Sequence, residues 1–148
     1  MIVRVSEENL RSAAAIHAES WRDSHSAFCS EAFVRQHTAM RQRQYLEQEM
    51  QDGKLLYMLV KEKPVGIVSI KGNLIENLYV LPGEQRKGYG SELLLFAMKK
   101  CKGRPCLWVL NNNEKAQALY CKYGFHLTGK RHPLSGQLSE LEMEMGTG

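Results

Sequence analysis

Between Lys54 and Leu81 the chain holds three strand-length runs in close succession, KLLYMLVK, PVGIVSIK and LIENLYVL, separated by EKP and by Gly72-Asn73. A Gly-Asn pair between two such runs is a hairpin signal, because glycine supplies the positive φ that the turn requires. The runs therefore predict an antiparallel meander, and everything else must pack around it. Upstream, MIVRV reads as a first strand, with Ser6 placed to cap a helix whose Leu10, Ala14, His17 and Trp21 recur at helical spacing. A second amphipathic helix is predicted over 31–50, with Phe33, Val34, His37, Met40, Tyr45 and Leu46 facing inward. Downstream of the meander come a helix to Cys101, a strand CLWVL, and a helix NEKAQALYCKY stopped by Gly124. Two strands flanking RHPLSG complete the chain, the last alternating Leu141, Met143 and Met145 with Glu140, Glu142 and Glu144.

The predicted order is β-α-α-β-β-β-α-β-α-β-β. It describes an α/β (α+β) fold with a mixed, mostly antiparallel sheet of about seven strands and four helices, not a doubly wound one. At 148 residues without repeats or linkers, one domain over 1–148 is expected. The charge of +4 suits a small anionic ligand and is too weak and dispersed to argue for nucleic acid. Cys29, Cys101, Cys106 and Cys121 form no C-x-x-C pair and have no histidine at zinc-ligand spacing, so reduced thiols and no metal are expected. The first residues lack a signal-peptide apolar region, and no stretch approaches the ~18 apolar residues of a membrane span. The expectation is a cytoplasmic protein without membrane partners.

The turn QRKGYG, residues 85–90, has the form Q-x-x-G-x-G. Its glycines permit a tight bend and close backbone approach, while the first amides of the following helix lack intrahelical acceptors. Such amides converge on an anion, helped by the helix dipole and here by Arg86 and Lys87. G-x-x-x-x-G-K-[ST] is absent, and G-x-G-x-x-G fails because Leu93 stands three residues after Gly90. Read alone, the turn could equally be a strand-to-helix bend eased by Gly88 and Gly90.

LYVLPGEQRKGYG at 78–90, followed by NEKAQALYCKYGF at 113–125, resembles the GNAT superfamily of acetyl-CoA-dependent N-acetyltransferases. The first stretch is similar to the family's R/Q-x-x-G-x-G/A pyrophosphate loop, and the second to its N-x-x-A-x-x-x-Y-x-x-x-G-F helix. The element order is also similar to that fold. The resemblance implies acetyl-CoA as donor, with its pyrophosphate on the amides of Arg86, Lys87, Gly88, Tyr89, Gly90 and Ser91. It implies a pantetheine arm along Leu78, Tyr79 and Val80, and a strand bulge that aims an N–H at the thioester carbonyl. Asn113 would touch the cofactor, and Tyr120 would stand beside the sulfur as general acid. Without the resemblance, Asn113 is a good helix N-cap and Tyr120 an ordinary core tyrosine.

An alkylammonium is only about 0.1% neutral near pH 7.4, so transfer to an amine calls for a general base. Glu76 is the candidate, because it shares strand parity with Leu78 and Val80; a carboxylate paired with a cation is the other reading. The branch of the family that acetylates protein N-termini carries a glutamate where this chain has Trp108, which argues against that branch. For the acceptor, ESWRDSHSAF at 19–28 offers Trp21, Asp23, His25 and Phe28, an aromatic and acidic set suited to a cationic amine, and the late hairpin offers His132. His17, His37 and His126 read as structural or exposed. The expected activity is acetyl transfer to a primary amine of a small molecule or peptide, by a monomer or a homodimer paired through the last strand. A non-catalytic acyl-CoA-binding sensor is the alternative.

Overall fold

A computed structural model describes residues 1–26 and 30–146. Its elements are β1 (Ile2–Arg4), α1 (Leu10–His25), α2 (Glu31–Arg35), α3 (Ala39–Gln51), β2 (Leu55–Val60), β3 (Pro64–Lys71), β4 (Leu74–Val80), α4 (Tyr89–Lys100), β5 (Cys106–Leu110), α5 (Glu114–Lys122), β6 (Phe125–Ser135) and β7 (Leu138–Met145). The seven strands form one sheet in the order β1-β2-β3-β4-β5-β7-β6. Every neighbouring pair is antiparallel except β4 with β5. The meander is β2-β3-β4, as its short separators require.

One face of the sheet packs on α4 and α5 through Leu93, Leu94, Ala97 and Tyr120; the other packs on α1 and α3 through Leu10, Ala13, Ala14 and Leu46. The approach of α4 depends on Gly66, where a Cβ would lie 2.7 Å from Leu93 Cδ1 and 3.0 Å from the Tyr79 carbonyl oxygen. Each fully buried leucine stabilises the layers by roughly 1.5–3 kcal/mol, so the sheet is a rigid frame for what opens in its middle.

Three expectations change. The helix predicted over 31–50 is interrupted at residues 36–38, where Thr38 adopts an extended conformation and its hydroxyl accepts from the Arg41 amide at 3.2 Å. That cap restarts the helix with a new phase, so Gln42 and Leu46 are buried, whereas Met40 is 73% exposed and Tyr45 42%. Ser6 does not cap α1. Its amide instead donates to Asn9 Oδ1 at 2.8 Å, and Asn9 Nδ2 donates to the Arg4 carbonyl, closing a turn that delays the helix to Leu10. The last strand, β7, lies inside the sheet between β5 and β6, so its ladder is already occupied on both sides and β6 forms the edge. Among the described residues, no helix is long and apolar enough to cross a membrane.

Candidate active site

β4 and β5 run side by side only at their starts. The parallel ladder holds Leu74 opposite Cys106 and Ile75 opposite Leu107, yet β4 continues to Val80 and β5 to Leu110. The strands part where β4 carries an extra residue: Ser69 of β3 faces Glu76, and Ile67, two residues back, faces Tyr79, three residues on. Asn77 lies in that bulge at φ +52. Its Nδ2 donates to Ser69 Oγ at 3.0 Å, and its Oδ1 lies 3.3 Å from His17 Nε2. Ser69 and His17 are only 1% and 3% exposed, so buried partners hold an asparagine in a left-handed conformation that costs roughly 1–2 kcal/mol for an L-residue. The bulge bends β4 away from β5 and frees its edge.

The gap is a cleft of about 1690 Å³ that crosses the sheet. Leu78, Tyr79 and Val80 line it on one side and Trp108, Val109 and Leu110 on the other. An extended ligand entering here would find main-chain donors and acceptors on both parted edges, as an added strand does.

At one end stands the α4 N-terminus. Arg86 at φ +68 and Gly88 at φ +83 turn the chain sharply. The first helical bond runs from the Glu92 amide to the Gly88 carbonyl at 3.0 Å, so the amides of Tyr89, Gly90 and Ser91 have no intrahelical acceptor. No side chain caps this end, and Arg86, Gly88, Tyr89, Gly90 and Ser91 all line the cleft. The Lys87 side chain does not join them. It pairs with Glu84 at 2.8 Å and faces a separate hollow shared with Lys61 and Lys63, leaving only its main chain in the turn.

In the middle of the cleft is Tyr120, buried and packed edge-on against Phe125. Burial raises its pKa to about 12, which keeps the phenol protonated near neutral pH. Tyr79 is pushed up as well, by burial first and then by the charges of Tyr120 and Glu140. Asn113 lines the cleft while its Oδ1 accepts from the Ala116 amide at 3.1 Å, so it is the N-cap of α5.

Glu76 lies elsewhere than its parity suggests. The extra residue at Asn77 reverses the alternation, so Leu78 and Val80 pack toward α4 with Ile75, and Glu76 falls on the opposite face with Tyr79. There Lys54 Nζ reaches Glu49 at 2.6 Å and Glu76 at 3.1 Å. Burial works against the Lys54 charge, but the bonds to Glu49 and Glu76 outweigh it and raise its pKa. Glu76 borders the cleft with a cation already bound to it.

At the far end, His25 and His37 both stack on Trp21, at 4.0 and 3.4 Å between ring centres. Arg22 Nη1 donates to the His37 carbonyl at 2.9 Å and ties α1 to the segment before α3. Trp21, Asp23, His25, His37 and His132 line the cleft. Phe28 lies outside the described residues. The site also contains residues that sequence reasoning passed over: Asn77, whose bulge no apolar pattern announces; His17, which looked structural; and Glu140, which looked like one more member of a wet face. Among the described residues, no group of three or more His, Cys, Asp or Glu is placed to hold a metal ion.

The family model described as "Acetyltransferase (GNAT) family" matches residues 14–125. Among solved structures, the chain is similar to the PaiA N-acetyltransferase from Thermoplasma acidophilum in complex with coenzyme A, at 23% identity over 96% of each chain and a TM-score of 0.72. It is similar to the ribosomal-protein-alanine N-acetyltransferase from Brucella melitensis, at 21% identity over 97% of this chain and 98% of that one, TM-score 0.71. It also resembles YncA, a putative acetyltransferase from Salmonella typhimurium with acetyl-CoA, at 18% identity over 100% and 94%, TM-score 0.69. At these identities the likeness concerns the fold. No curated protein gives a significant match.

Proposed function

The chain belongs to the acetyltransferase (GNAT) family, and on that premise we propose that it transfers an acetyl group from acetyl-CoA to a primary amine of a small molecule or peptide. The observation that carries this reading is the parted β4–β5 edge, with an uncapped helix N-terminus at one end and a protonated tyrosine in the middle. The residues present fit a ligand that is a polyanion joined to an extended amide-bearing arm. The amides of Arg86 to Ser91 would hold the diphosphate. The main chain of Leu78, Tyr79 and Val80 would pair with the arm, and Asn113 would border it. Acetyl-CoA supplies the activated acyl group.

Tyr120, kept protonated by its surroundings, would give its proton to the departing sulfur. The amides at the Asn77 bulge would meet the charge that develops on the carbonyl oxygen. Trp21, Asp23 and His25 would border the acceptor, an aromatic plate and a carboxylate suited to a cation. Glu76 would steady the bulge region through Lys54 rather than act as base. We place the protein in the cytoplasm as a single domain.

The test measures two quantities: calorimetric binding of coenzyme A, and thiol release from acetyl-CoA with a panel of amines. Binding with amine-dependent release supports the reading. Binding without release across the panel would make the protein an acyl-CoA sensor, and no heat at millimolar coenzyme A would remove the cofactor site altogether.

A further inference from the structure

With Glu76 tied to Lys54, the proposed transfer lacks a proton acceptor, and the last strand supplies one. Glu140, Glu142 and Glu144 share a face of β7, opposite Leu110, Trp108 and Cys106 of β5. Two of the three are engaged. Glu144 pairs with Arg104 at 3.0 Å, and Glu142 accepts from Thr128 Oγ1 at 2.8 Å with Lys130 Nζ at 4.0 Å. Glu140 is half-buried and lines the cleft, and its carboxylate has no ion pair or hydrogen bond among the described residues.

Two further polar groups, in residues that line the same cleft, lack hydrogen-bond partners. His17 Nδ1 and Ser20 Oγ are buried and unbonded, one turn apart on α1, in residues that line the cleft and are 3% and 4% exposed. Buried polar atoms without partners cost about 1–3 kcal/mol each, and in a cleft they point to a ligand. The His17 proton can be located. Asn77 Nδ2 is spent on Ser69, so Asn77 Oδ1 faces Nε2, which must carry the hydrogen; Nδ1 is then a bare lone pair. The ring stays neutral, since burial lowers its pKa to about 4. Tyr79 links His17 to Glu140: its ring lies 5.1 Å from that of His17, and it feels the charge of Glu140. Glu140 and the bare His17 Nδ1, on either side of Tyr79, both accept hydrogen bonds, which is the complement of an alkylammonium with its N–H donors.

We propose that Glu140 is the catalytic base, receiving the acceptor's ammonium in a chamber whose α1 wall is formed by His17 and Ser20. The assignment rests on the amine-acetyltransferase reading. The Glu140 carboxylate takes one proton from the ammonium. The freed nitrogen lone pair forms the C–N bond to the thioester carbonyl carbon, and the C–S bond breaks with its electron pair on sulfur. Tyr120 protonates that sulfur, and the second proton shed by nitrogen restores the phenol. Glu140 releases its proton to water, so one ammonium and one thioester yield one amide, one thiol and one proton. The titratable groups placed against Glu140 are Tyr79 from β4, which feels its charge, and His132, opposite it on β6; Tyr120 and His17 lie beyond Tyr79.

Thiol release with a primary alkylamine is measured against pH for the wild type, Glu140→Gln and Glu140→Asp, with coenzyme A affinity followed by calorimetry. Glu140→Gln is expected to lower kcat/KM at neutral pH by roughly 10²- to 10⁴-fold. That deficit should shrink as pH approaches the amine's own pKa of about 10.4, where the neutral amine needs no base. Glu140→Asp should recover part of the loss, and coenzyme A affinity should hold in both variants. An active wild type with Glu140→Gln equally active, or with a deficit that does not change with pH, overturns the base assignment alone. A wild type that releases no thiol with any amine overturns the acetyltransferase reading and the base with it.

Discussion

The two ends of the cleft are made of different material. The α4 end is main chain: one segment from Asn77 to Ser91 that exposes amides through a bulge, two further left-handed residues and an uncapped helix. The acceptor end is side chain: Trp21 and His17 from α1, His37 from the segment before α3, and Glu140 from β7, brought together across more than a hundred positions. A main-chain site depends on conformation and tolerates most changes of side chain that leave φ and ψ alone. A side-chain site depends on identity, protonation and the packing of elements that meet only in the finished fold. The first end should therefore respond to glycine substitutions and ignore its lysine, and the second should respond to single functional groups and to pH.

After Glu140→Gln, the largest effect expected is at the junction of the two ends. Tyr120→Phe removes one oxygen from a buried ring and leaves its packing on Phe125 in place. It should lower kcat by roughly 10- to 1,000-fold with coenzyme A affinity unchanged in calorimetry. An unaltered kcat would remove the phenol from the chemistry and leave the transfer to the main-chain end alone.

The next effect tests the protonation half of the contrast. Buried His17 has its pKa lowered to about 4 from 6.5, by burial first, opposed by the bond to Asn77. Above about pH 6.5 the ring is neutral in both folded and unfolded chains. Between 6.5 and 4 the unfolded chain takes up a proton that the folded one refuses, so acidification through that window costs stability, up to roughly 3 kcal/mol, and the loss levels off below it. Urea titrations from pH 7 to 4 should show the decline, and His17→Gln, which can keep a donor toward Asn77, should flatten it. A slope that persists in the variant would place the sensitivity on other groups.

The same division decides what could be read before folding. The meander, the glycine turn and the α5 helix were legible because local rules fix them: Gly72 needs a positive φ, Gly88 opens a helix, and Gly124 closes one. The break before α3 was hidden because Thr38 must choose between continuing a helix and capping one, and only the packing of Leu46 decides. Glu76 was misplaced for a related reason. Parity counts residues, and a single left-handed Asn77, held by His17 sixty positions away, inverts the count. Glu140 was invisible because an alternating strand makes its three glutamates look equivalent; only the partners of Glu142 and Glu144 single it out.

The smallest effects test the main-chain half. Gly88 has φ +83, with nothing within 4 Å of where a Cβ would stand. Alanine there meets no clash, only the conformational cost of a left-handed L-residue, roughly 1–2 kcal/mol. If the turn relaxes to avoid that cost, the amides of Tyr89 to Ser91 lose their common focus, and the Kd for coenzyme A should rise about five- to thirtyfold. Lys87→Ala removes a whole charge from the same turn. Because that side chain is turned to Glu84 and exposed to solvent, its loss should shift Kd by no more than about twofold. The pair forms an ordered contrast: a methyl group added to Gly88 should matter more than an ammonium removed from its neighbour. Were calorimetry to rank them the other way, the anion would be held by side-chain charge, and the two ends of the cleft would recognise their ligands by the same means.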